Sequence, residues 1–435
     1  MKVYIDTLGC AKNEYDSQML AASLAERGCG IAFDPQEADI LIVNTCGFIE
    51  DAKKESIERI FELAAERGEH KKLVVTGCLA ERYHEELSEE MPEVDMFFGV
   101  NDYDDLPSVL LGDSPASRDM VGDSTDDLRY RKRLFDEGSH YGYLKIAEGC
   151  NNNCSFCAIP LIRGPFRSKK MEDCIREAED MAAAGIKELI LIAQDTSQYG
   201  RDLYGKPELP KLLRRLCGID GIEWIRLMYV YDNGITDELI DVIAQEPKIC
   251  KYIDMPIQHI SDHVLHLMRR QSTGDSIRAV ITKLRERIPD VHIRTTLLVG
   301  FPGETEGDMD LLAGFIDSWD IDRLGAFAFS EEEGTPSFTM DGKVEEEVRI
   351  SRRDRVMEHQ LAVSEKLNEK KIGRTYEVMI DEIIGDGLYT GRTRYDAPEI
   401  DCAVTVSSEK AHVPGDIVSV RITDAFEYDL EGSEI

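Results

Sequence analysis

The feature that most constrains the fold of this 435-residue chain is an alternation of short apolar strands with amphipathic helices. In a first stretch, from residue 1 to about 111, strand and helix patterns follow each other as βαβαβ. Such alternation predicts an α/β fold with a parallel sheet covered by helices on both faces. The predicted strands are residues 3–6, 40–44, 73–76 and 94–98, and the predicted helices are residues 17–26, 52–66 and 81–89.

A second stretch, residues 141–344, repeats the alternation in larger units. Six strand patterns in one continuous run predict a complete or partial (β/α)6 barrel. The strands are expected at 142–147, 189–193, 224–229, 252–255, 293–299 and 324–329, with helices at 171–184, 208–217, 235–245, 274–288 and 306–318. The polar segment 112–140, rich in Asp, Ser and Arg, is predicted to be a linker between the two units.

The remainder of the chain has a different pattern. A strongly charged segment, 345–372, predicts a connecting helix. Residues 373–435 contain short strand patterns separated by glycine turns, at 376–383, 388–393, 401–406 and 417–425, which predict a small carboxy-terminal β-barrel.

Three of the eleven cysteines, Cys150, Cys154 and Cys157, form a C-x-x-x-C-x-x-C motif just after the first strand of the second unit. A structural zinc site usually needs four protein ligands, and no nearby His or Cys supplies the fourth. Thiolates also suit iron–sulfur clusters. Three ligands on a four-iron cluster leave one iron open, so this motif indicates a cluster that binds a further molecule.

A second set of cysteines lies in the first unit. Cys10, Cys46 and Cys78 each follow the carboxyl end of a predicted parallel strand. Ligands of open α/β sheets bind at those ends, so we expect the three thiols to meet at one sheet edge and form a second cluster site. The alternative is that three buried cysteines fall there by chance, because cysteine is often a small core residue.

The spacing of Cys150, Cys154 and Cys157 at the mouth of a (β/α)6 barrel resembles the radical S-adenosylmethionine (SAM) superfamily. The resemblance implies that these cysteines are catalytic, holding a 4Fe-4S cluster whose open iron binds SAM. An electron from the cluster would then release a 5′-deoxyadenosyl radical in a pocket that excludes water. Phe156, between the last two thiols, either covers the cofactor or simply packs.

The whole chain also resembles the methylthiotransferase family. The resemblance implies a second 4Fe-4S cluster on Cys10, Cys46 and Cys78, whose open iron carries the sulfur for the product, and a TRAM-like terminal barrel. It rests on three motifs: Leu8-Gly9-Cys10-Ala11-Lys12-Asn13, Asn44-Thr45-Cys46-Gly47-Phe48 and Thr76-Gly77-Cys78-Leu79-Ala80.

Other candidate SAM contacts follow the barrel strands, where active residues of such barrels lie. Gln194 is one, and backbone amides at Gly300 and Gly303 are others. The two glycines could also form a tight turn that feeds a helix capped by Thr305 and Asp308, and the two roles are compatible. His259 is either a polar contact or structural. A basic run would hold a carboxylate or form a solvated face; it consists of Arg163, Arg167, Lys169 and Lys170.

Charge bears on the substrate. The formal net charge is −34, which excludes broad phosphate binding and makes direct nucleic-acid contact a poor expectation. Residues 373–435 contain five Lys or Arg against fourteen Asp or Glu, a net charge of −9. An acidic barrel suits a basic protein better than RNA. Of the two methylthiotransferase branches that the resemblance implies, this favours the one that modifies an aspartate β-carbon of the small-subunit ribosomal protein S-twelve.

Two alternatives remain. One is the branch that modifies adenosine in transfer RNA, and the other is a two-cluster electron carrier without chemistry of its own. The enzyme would also need an external electron donor.

No apolar run approaches eighteen residues and no signal-peptide core opens the chain, so the sequence predicts no membrane anchor and a cytoplasmic protein.

Overall fold

A computed structural model describes residues 1–68, 70–114, 117–122 and 128–435 of the chain. Two parallel α/β units are followed by a long helix and a β-barrel. The amino-terminal unit consists of β1 (Lys2–Thr7), α1 (Ala11–Glu26), β2 (Gly30–Ala32), β3 (Ile40–Thr45), α2 (Glu50–Glu66), β4 (Lys72–Gly77), α3 (Cys78–Glu90), β5 (Met96–Phe98), α4 (Leu106–Leu110) and β6 (Asp119–Met120).

The amino-terminal sheet is parallel, with the order β2-β1-β3-β4-β5-β6. All six residues of β3 are buried, as expected when helices cover both faces of a central strand. The four predicted strands and three predicted helices are present. The sheet has two further edge strands, β2 and β6, which the sequence pattern did not reveal.

Strand β6 corrects the prediction that residues 112–140 form only a linker. Asp119 and Met120 pair with Phe97 and Phe98 and extend the amino-terminal sheet. The Arg118 guanidinium fixes this edge by donating to the carbonyls of Met91 and Val94. A two-residue strand is too short to show an apolar periodicity, which is why it reads as linker. Residues 115–116 and 123–127 of the segment lie outside the described residues.

The central unit has a parallel sheet with the order β7-β10-β11-β12-β13-β14. β7 and β14 are its two edges, so the sheet is an open, partial barrel. Its elements are β7 (Tyr141–Lys145), β8 (Ala147–Glu148), α5 (Ile159–Arg163), β9 (Arg167–Ser168), α6 (Met171–Ala183), β10 (Glu188–Ile192), α7 (Arg201–Tyr204), α8 (Leu209–Cys217), β11 (Trp224–Leu227), α9 (Asp237–Gln245), β12 (Ile249–Asp254), α10 (Asp262–Leu267), α11 (Gly274–Arg287), β13 (His292–Val299), α12 (Glu306–Trp319) and β14 (Arg323–Ala328).

The six predicted strands and five predicted helices of this unit are confirmed. The outer faces of the strands pack under the helices in one apolar core. Inward-facing side chains such as Tyr143, Trp224 and Tyr252 pack instead with Met379 and Ala397 of the terminal barrel. The central sheet is therefore covered by helices outside and partly by the terminal barrel inside.

Helix α13 (Glu346–Glu369) connects the central unit to a closed barrel with the strand order β15-β16-β17-β19-β18. The barrel strands are β15 (Thr375–Gly385), β16 (Leu388–Thr393), β17 (Val404–Ser407), β18 (Ile417–Ala425) and β19 (Leu430–Glu434), of which β19 was not predicted. Buried ion pairs fix the barrel to the central sheet: Arg392 contacts Glu188 at the start of β10, and Arg323 at the start of β14 bonds Asp396 at 2.7 Å.

Among the described residues, no helix combines the length and the hydropathy needed to cross a bilayer.

Candidate functional site

The first cysteine motif lies in a loop at the carboxyl end of β7. The short antiparallel ribbon of β8 and β9 closes this loop at its base. Backbone hydrogen bonds fix its course: the amide of Cys150 donates to Gly164 at 3.1 Å, and the amide of Ser155 donates to Met268 at 3.0 Å. The Ser155 carbonyl accepts from the Ser337 amide at 2.9 Å. The loop is therefore held from three directions.

The thiols of this loop are shielded from water. Cys150 and Cys154 are buried, and Cys157 is largely so. Burial raises the pKa of Cys150 to about 11 and that of Cys157 to about 12, and the neighbouring thiols add to both shifts. Thiolates in such a place need positive charge, which the irons of a cluster supply.

Two further side chains, Arg270 and Tyr231, lie beside this triad. The Arg270 guanidinium and the Tyr231 hydroxyl each lie 3.9 Å from the Cys154 sulfur, with Arg270 stacked 4.3 Å over the Tyr231 ring. Arg270 follows the short helix α10, a helix that the sequence pattern did not predict. A buried arginine beside a thiol triad favours an anionic group at that site.

The second triad is built by the topology of the amino-terminal sheet. Cys10 precedes α1, Cys46 follows β3, and Cys78 is the first residue of α3. Since β1, β3 and β4 are adjacent parallel strands, their carboxyl ends place the three cysteines at one sheet edge. The structure thus brings together the residues that the strand-end pattern selected.

Two of the three thiols at this edge, Cys46 and Cys78, are buried, and the third, Cys10, is exposed. A Cβ atom built on Gly9 would lie 2.7 Å from the Cys46 Cβ, so the glycine permits the chain before Cys10 to approach Cys46. Burial raises the pKa of Cys46 to about 12, with further contributions from Cys78 and Cys10. Burial also raises the pKa of Cys78.

The donor sets fit polynuclear clusters. Within the described ranges, no three His, Cys, Asp or Glu side chains converge closely enough to hold a single metal ion. Two triads of soft sulfur donors are the ligand set of three-thiolate ligation of an iron–sulfur cluster. Cys150, Cys154 and Cys157 would hold one cluster, and Cys10, Cys46 and Cys78 would hold the other.

A buried ionic network, formed by Asp16, Lys145, Glu148 and Arg163, joins the two triads. Lys145 Nζ lies 2.5 Å from Asp16 and 2.6 Å from Glu148, and Arg163 Nη1 lies 2.7 Å from Asp16 and 3.2 Å from Glu148. Asp16 belongs to α1 of the amino-terminal unit, whereas the other three belong to the central unit. The network therefore fixes the orientation of one cysteine site relative to the other.

This network corrects our interpretation of the basic run that follows the cysteine loop. Arg163 and Lys169 form neither a solvated face nor a free carboxylate site, because both are buried. Lys169 Nζ donates to Glu177 at 2.6 Å and to the Tyr15 hydroxyl at 2.8 Å. The sequence signal that could have indicated this buried network is Lys145, a lysine at the end of an otherwise apolar strand pattern.

Gln194 bonds Glu148 just before the first cysteine motif, and Phe156 lies within that motif. Gln194 Nε2 donates to Glu148 at 2.8 Å, while its buried Oε1 has no hydrogen-bond partner within the described part of the chain. The Phe156 ring packs edge-on against Phe301, 6.5 Å between centroids, and Phe301 packs against Phe329 at 5.1 Å. Among the described residues, Gln194 therefore leaves one buried acceptor unpaired, and Phe156, Phe301 and Phe329 form an aromatic wall beside the cysteine loop.

The backbone amides of Gly300 and Gly303 have acceptors inside the protein. The Gly300 amide donates to Glu304 at 2.9 Å, and the Gly303 amide donates to the Gly342 carbonyl at 2.9 Å. Both glycines have positive φ, and Thr305 caps α12, as the turn alternative required. Their amides therefore shape the turn. His259 is fully buried, accepts from the Ser261 amide at 2.9 Å and is structural.

Comparison with protein-family models gives three matches in chain order. Residues 2–99 match the family described as uncharacterized protein family UPF0004, residues 144–316 match the radical SAM superfamily, and residues 372–435 match the TRAM domain. The matched ranges correspond to the amino-terminal unit, the central unit and the terminal barrel.

Solved structures support the radical SAM fold. The radical S-adenosylmethionine methyltransferase TsrM from Kitasatospora setae has a TM-score of 0.59 at 14% identity, covering 89% of this chain and 79% of that one. The cobalamin-dependent S-adenosylmethionine radical enzyme OxsB has a TM-score of 0.52 at 11% identity, covering 82% of this chain and 56% of that one.

Curated relatives match over the full length. Proteins named ribosomal protein uS12 methylthiotransferase RimO are 48% identical in Clostridioides difficile (99% of this chain, 98% of the relative) and 47% identical in a Thermoanaerobacter species (99% of both). The corresponding protein of Geobacter sulfurreducens is 46% identical over 100% of this chain and 98% of its own length. The chain therefore belongs to the RimO family of ribosomal protein uS12 methylthiotransferases.

Proposed function

We propose that this protein methylthiolates ribosomal protein uS12 at the β-carbon of an aspartate, with two 4Fe-4S clusters and SAM. The observation that carries the proposal is the pair of thiol triads at the strand ends of two adjoining parallel sheets, linked by one buried ionic network. Full-length similarity to RimO proteins supports the same activity.

The chemistry divides between the two triads. Cys150, Cys154 and Cys157 would hold a cluster that supplies the electron for SAM cleavage, and Cys10, Cys46 and Cys78 would hold a cluster that supplies the sulfur. SAM would serve both as the radical source and as the donor of the methyl group. An aspartate β-hydrogen is not acidic at any accessible pKa, so no acid–base residue of the chain removes it directly.

The protein's own side chains orient and shield the reactants. Asn152 donates to Asp195 at 2.8 Å and thereby fixes the first cysteine loop against the end of β10. The aromatic group of Phe156, Phe301 and Phe329 excludes water from one side of that loop. Gln194 offers Oε1 as an acceptor for a donor group of SAM.

The acidity of the terminal barrel favours a protein substrate over RNA. Its net charge of −9 would repel phosphates, and ribosomal proteins are typically basic. The transfer-RNA activity remains the second candidate function because it uses the same cofactors. The carrier alternative leaves the Gln194 acceptor and the aromatic wall without a role. The reaction also needs a low-potential electron donor from outside the chain.

The proposal is tested by incubating reconstituted protein with uS12, SAM and a strong chemical reductant, followed by mass spectrometry of the uS12 peptides. We expect an aspartate-containing peptide to gain a methylthio group, with 5′-deoxyadenosine formed in the same reaction. In a parallel incubation that contains transfer RNA as well as uS12, modification of a transfer-RNA adenosine with unmodified uS12 would contradict the substrate assignment. Absence of 5′-deoxyadenosine in fully loaded protein would favour the carrier.

Substitutions in the two triads are expected to have different effects on SAM cleavage and on methylthiolation. The change Cys154→Ala should abolish SAM cleavage, because it removes a ligand of the first cluster. The change Cys46→Ala should spare cleavage but stop methylthiolation. Cys217→Ala, at a half-buried cysteine on α8, is the control and should leave both products unchanged. Full methylthiolation by the Cys46 variant would exclude a role for the second triad.

A further inference from the structure

We propose that Arg163 is a positioning residue for the amino-terminal cluster, holding the Cys78 sulfur by a hydrogen bond and supplying the positive charge that sets the cluster's reduction potential. This inference rests on the proposed function in one respect, since it takes Cys78 to be a cluster ligand. It assigns a separate property, the potential of that cluster, to a residue of the central unit.

The geometry divides the guanidinium between two tasks. Its Nη1 faces the carboxylates, 2.7 Å from Asp16 and 3.2 Å from Glu148. Its Nη2 faces the other way and donates to the Cys78 sulfur at 3.3 Å and to Asn13 Oδ1 at 2.7 Å. A planar fork with fixed donors makes this division possible, and a lysine ammonium cannot reproduce it.

The carboxylates do not need Arg163 as their only counter-ion. Lys145 Nζ contacts both Asp16 and Glu148, and all four charged groups are buried. The Nη2 arm is therefore available to the sulfur, where a charge-assisted hydrogen bond is stronger than a neutral one. Arg163 has 2% of its surface exposed, so solvent does not screen its charge from the triad.

Such a contact has a definite electrostatic consequence. Three thiolates make a four-iron cluster anionic, and reduction adds a further negative charge. Hydrogen bonds to cluster sulfurs and nearby positive charge stabilise the reduced form and raise the potential. Because Arg163 lies in α5, just beyond the first cysteine loop, correct docking of the two units completes the surroundings of the amino-terminal cluster.

The experiment uses the full chain with Cys150, Cys154 and Cys157 changed to Ala, so that only the amino-terminal cluster is present. A potentiometric titration followed by electron paramagnetic resonance (EPR) gives its midpoint potential. Arg163→Gln should lower that potential because the charge is lost, and Arg163→Lys should lower it less. Arg226→Lys is the matched control, since Arg226 is equally buried but pairs with Glu188, and it should leave the potential unchanged.

The outcomes separate the two proposals. A parent variant that binds no iron would contradict the second cluster itself. A bound cluster whose potential is the same with Arg, Lys and Gln at position 163 would overturn the role of Arg163 alone. If the Gln variant does not fold, ¹⁵N-arginine labelling decides: pulsed EPR of the parent should detect a nitrogen coupled to the reduced cluster, and Arg163→Lys should remove it. No coupling in the parent would overturn the inference.

Discussion

At the scale of single residues, two glycines of the first cysteine loop show how strongly the backbone there is constrained. Gly149 and Gly164 both have positive φ. A Cβ on Gly149 would lie 2.2 Å from the Pro165 carbonyl oxygen, whereas a Cβ on Gly164 would meet no atom within 4 Å. At both positions an L residue would be strained, but only at Gly149 would its side chain also lack space. The two glycines therefore form a matched pair for testing the loop.

We therefore expect Gly164→Ala to destabilise the fold by about 2 kcal/mol, because its φ of 68° and ψ of −162° lie in a region that essentially only glycine adopts. Gly149→Ala should cost several times more and reduce iron retention by the first triad, because the Pro165 backbone must move. Urea unfolding and iron analysis of both variants measure the difference. Equal stability and equal iron content in the two variants would show that the loop tolerates a shift at Gly149.

Residue patterns could select candidate ligands but not their surroundings. The six candidate cluster cysteines were selected from spacing and from strand ends, both of which are local signals. The partners of Arg163 could not be found this way, since Asp16 is 147 residues away and the two meet only when the units dock. Arg270 was missed for a different reason, because a lone arginine after a short helix carries no periodic signal.

At the scale of elements, the loop after β14 clamps the amino-terminal unit onto the central one. Glu332 accepts from Arg82 of α3 at 2.6 Å and from Lys53 of α2 at 3.1 Å. The side chains of Glu332 and Arg82 are only 3% and 5% exposed. Arg82 also donates to the Gly47 carbonyl at 3.0 Å, directly after Cys46. The contacts of Glu332 and the Arg163 network thus hold the second triad, Cys10, Cys46 and Cys78, from two sides.

Glu332→Gln should destabilise the protein by about 3 kcal/mol, because it leaves the buried Arg82 side chain without its carboxylate and takes from Lys53 one of the two carboxylates it contacts. Hydrogen exchange in α2 and α3 should rise with it. Glu333→Gln is the matched control: its side chain is exposed, and its change should stay within about 0.5 kcal/mol. Denaturant unfolding that does not distinguish the two variants would mean that the clamp contributes nothing to docking.

Elements with a full apolar period were predictable, and short edge elements were not. Strand β13 alternates buried and half-buried residues over its length, and its pattern was found within one residue. Strands β6 and β19 were missed because their place is fixed by the neighbouring strand: β6 pairs with β5, and β19 closes the barrel between β17 and β18. Such pairing depends on tertiary contacts that a local pattern does not contain.

At the scale of the whole molecule, helix α13 connects the cofactor side of the central unit to the terminal barrel. Arg352 of this helix bonds Glu304 at 3.0 Å, next to the turn at Gly300, and Asn368 near its end donates to the Phe426 carbonyl of the barrel at 3.1 Å. The order and kind of the three units followed from the sequence pattern. Their docking did not, since it depends on buried ion pairs between distant segments.

The central claim is that each thiol triad binds its own four-iron cluster. Anaerobic reconstitution with iron and sulfide analysis tests it most directly, on the unchanged protein and on two variants in which one triad or the other is replaced by alanine. We predict about eight irons per chain in the unchanged protein and about four in each variant. Saturation at about four irons in the unchanged protein, lost entirely when Cys150, Cys154 and Cys157 are replaced, would contradict the account.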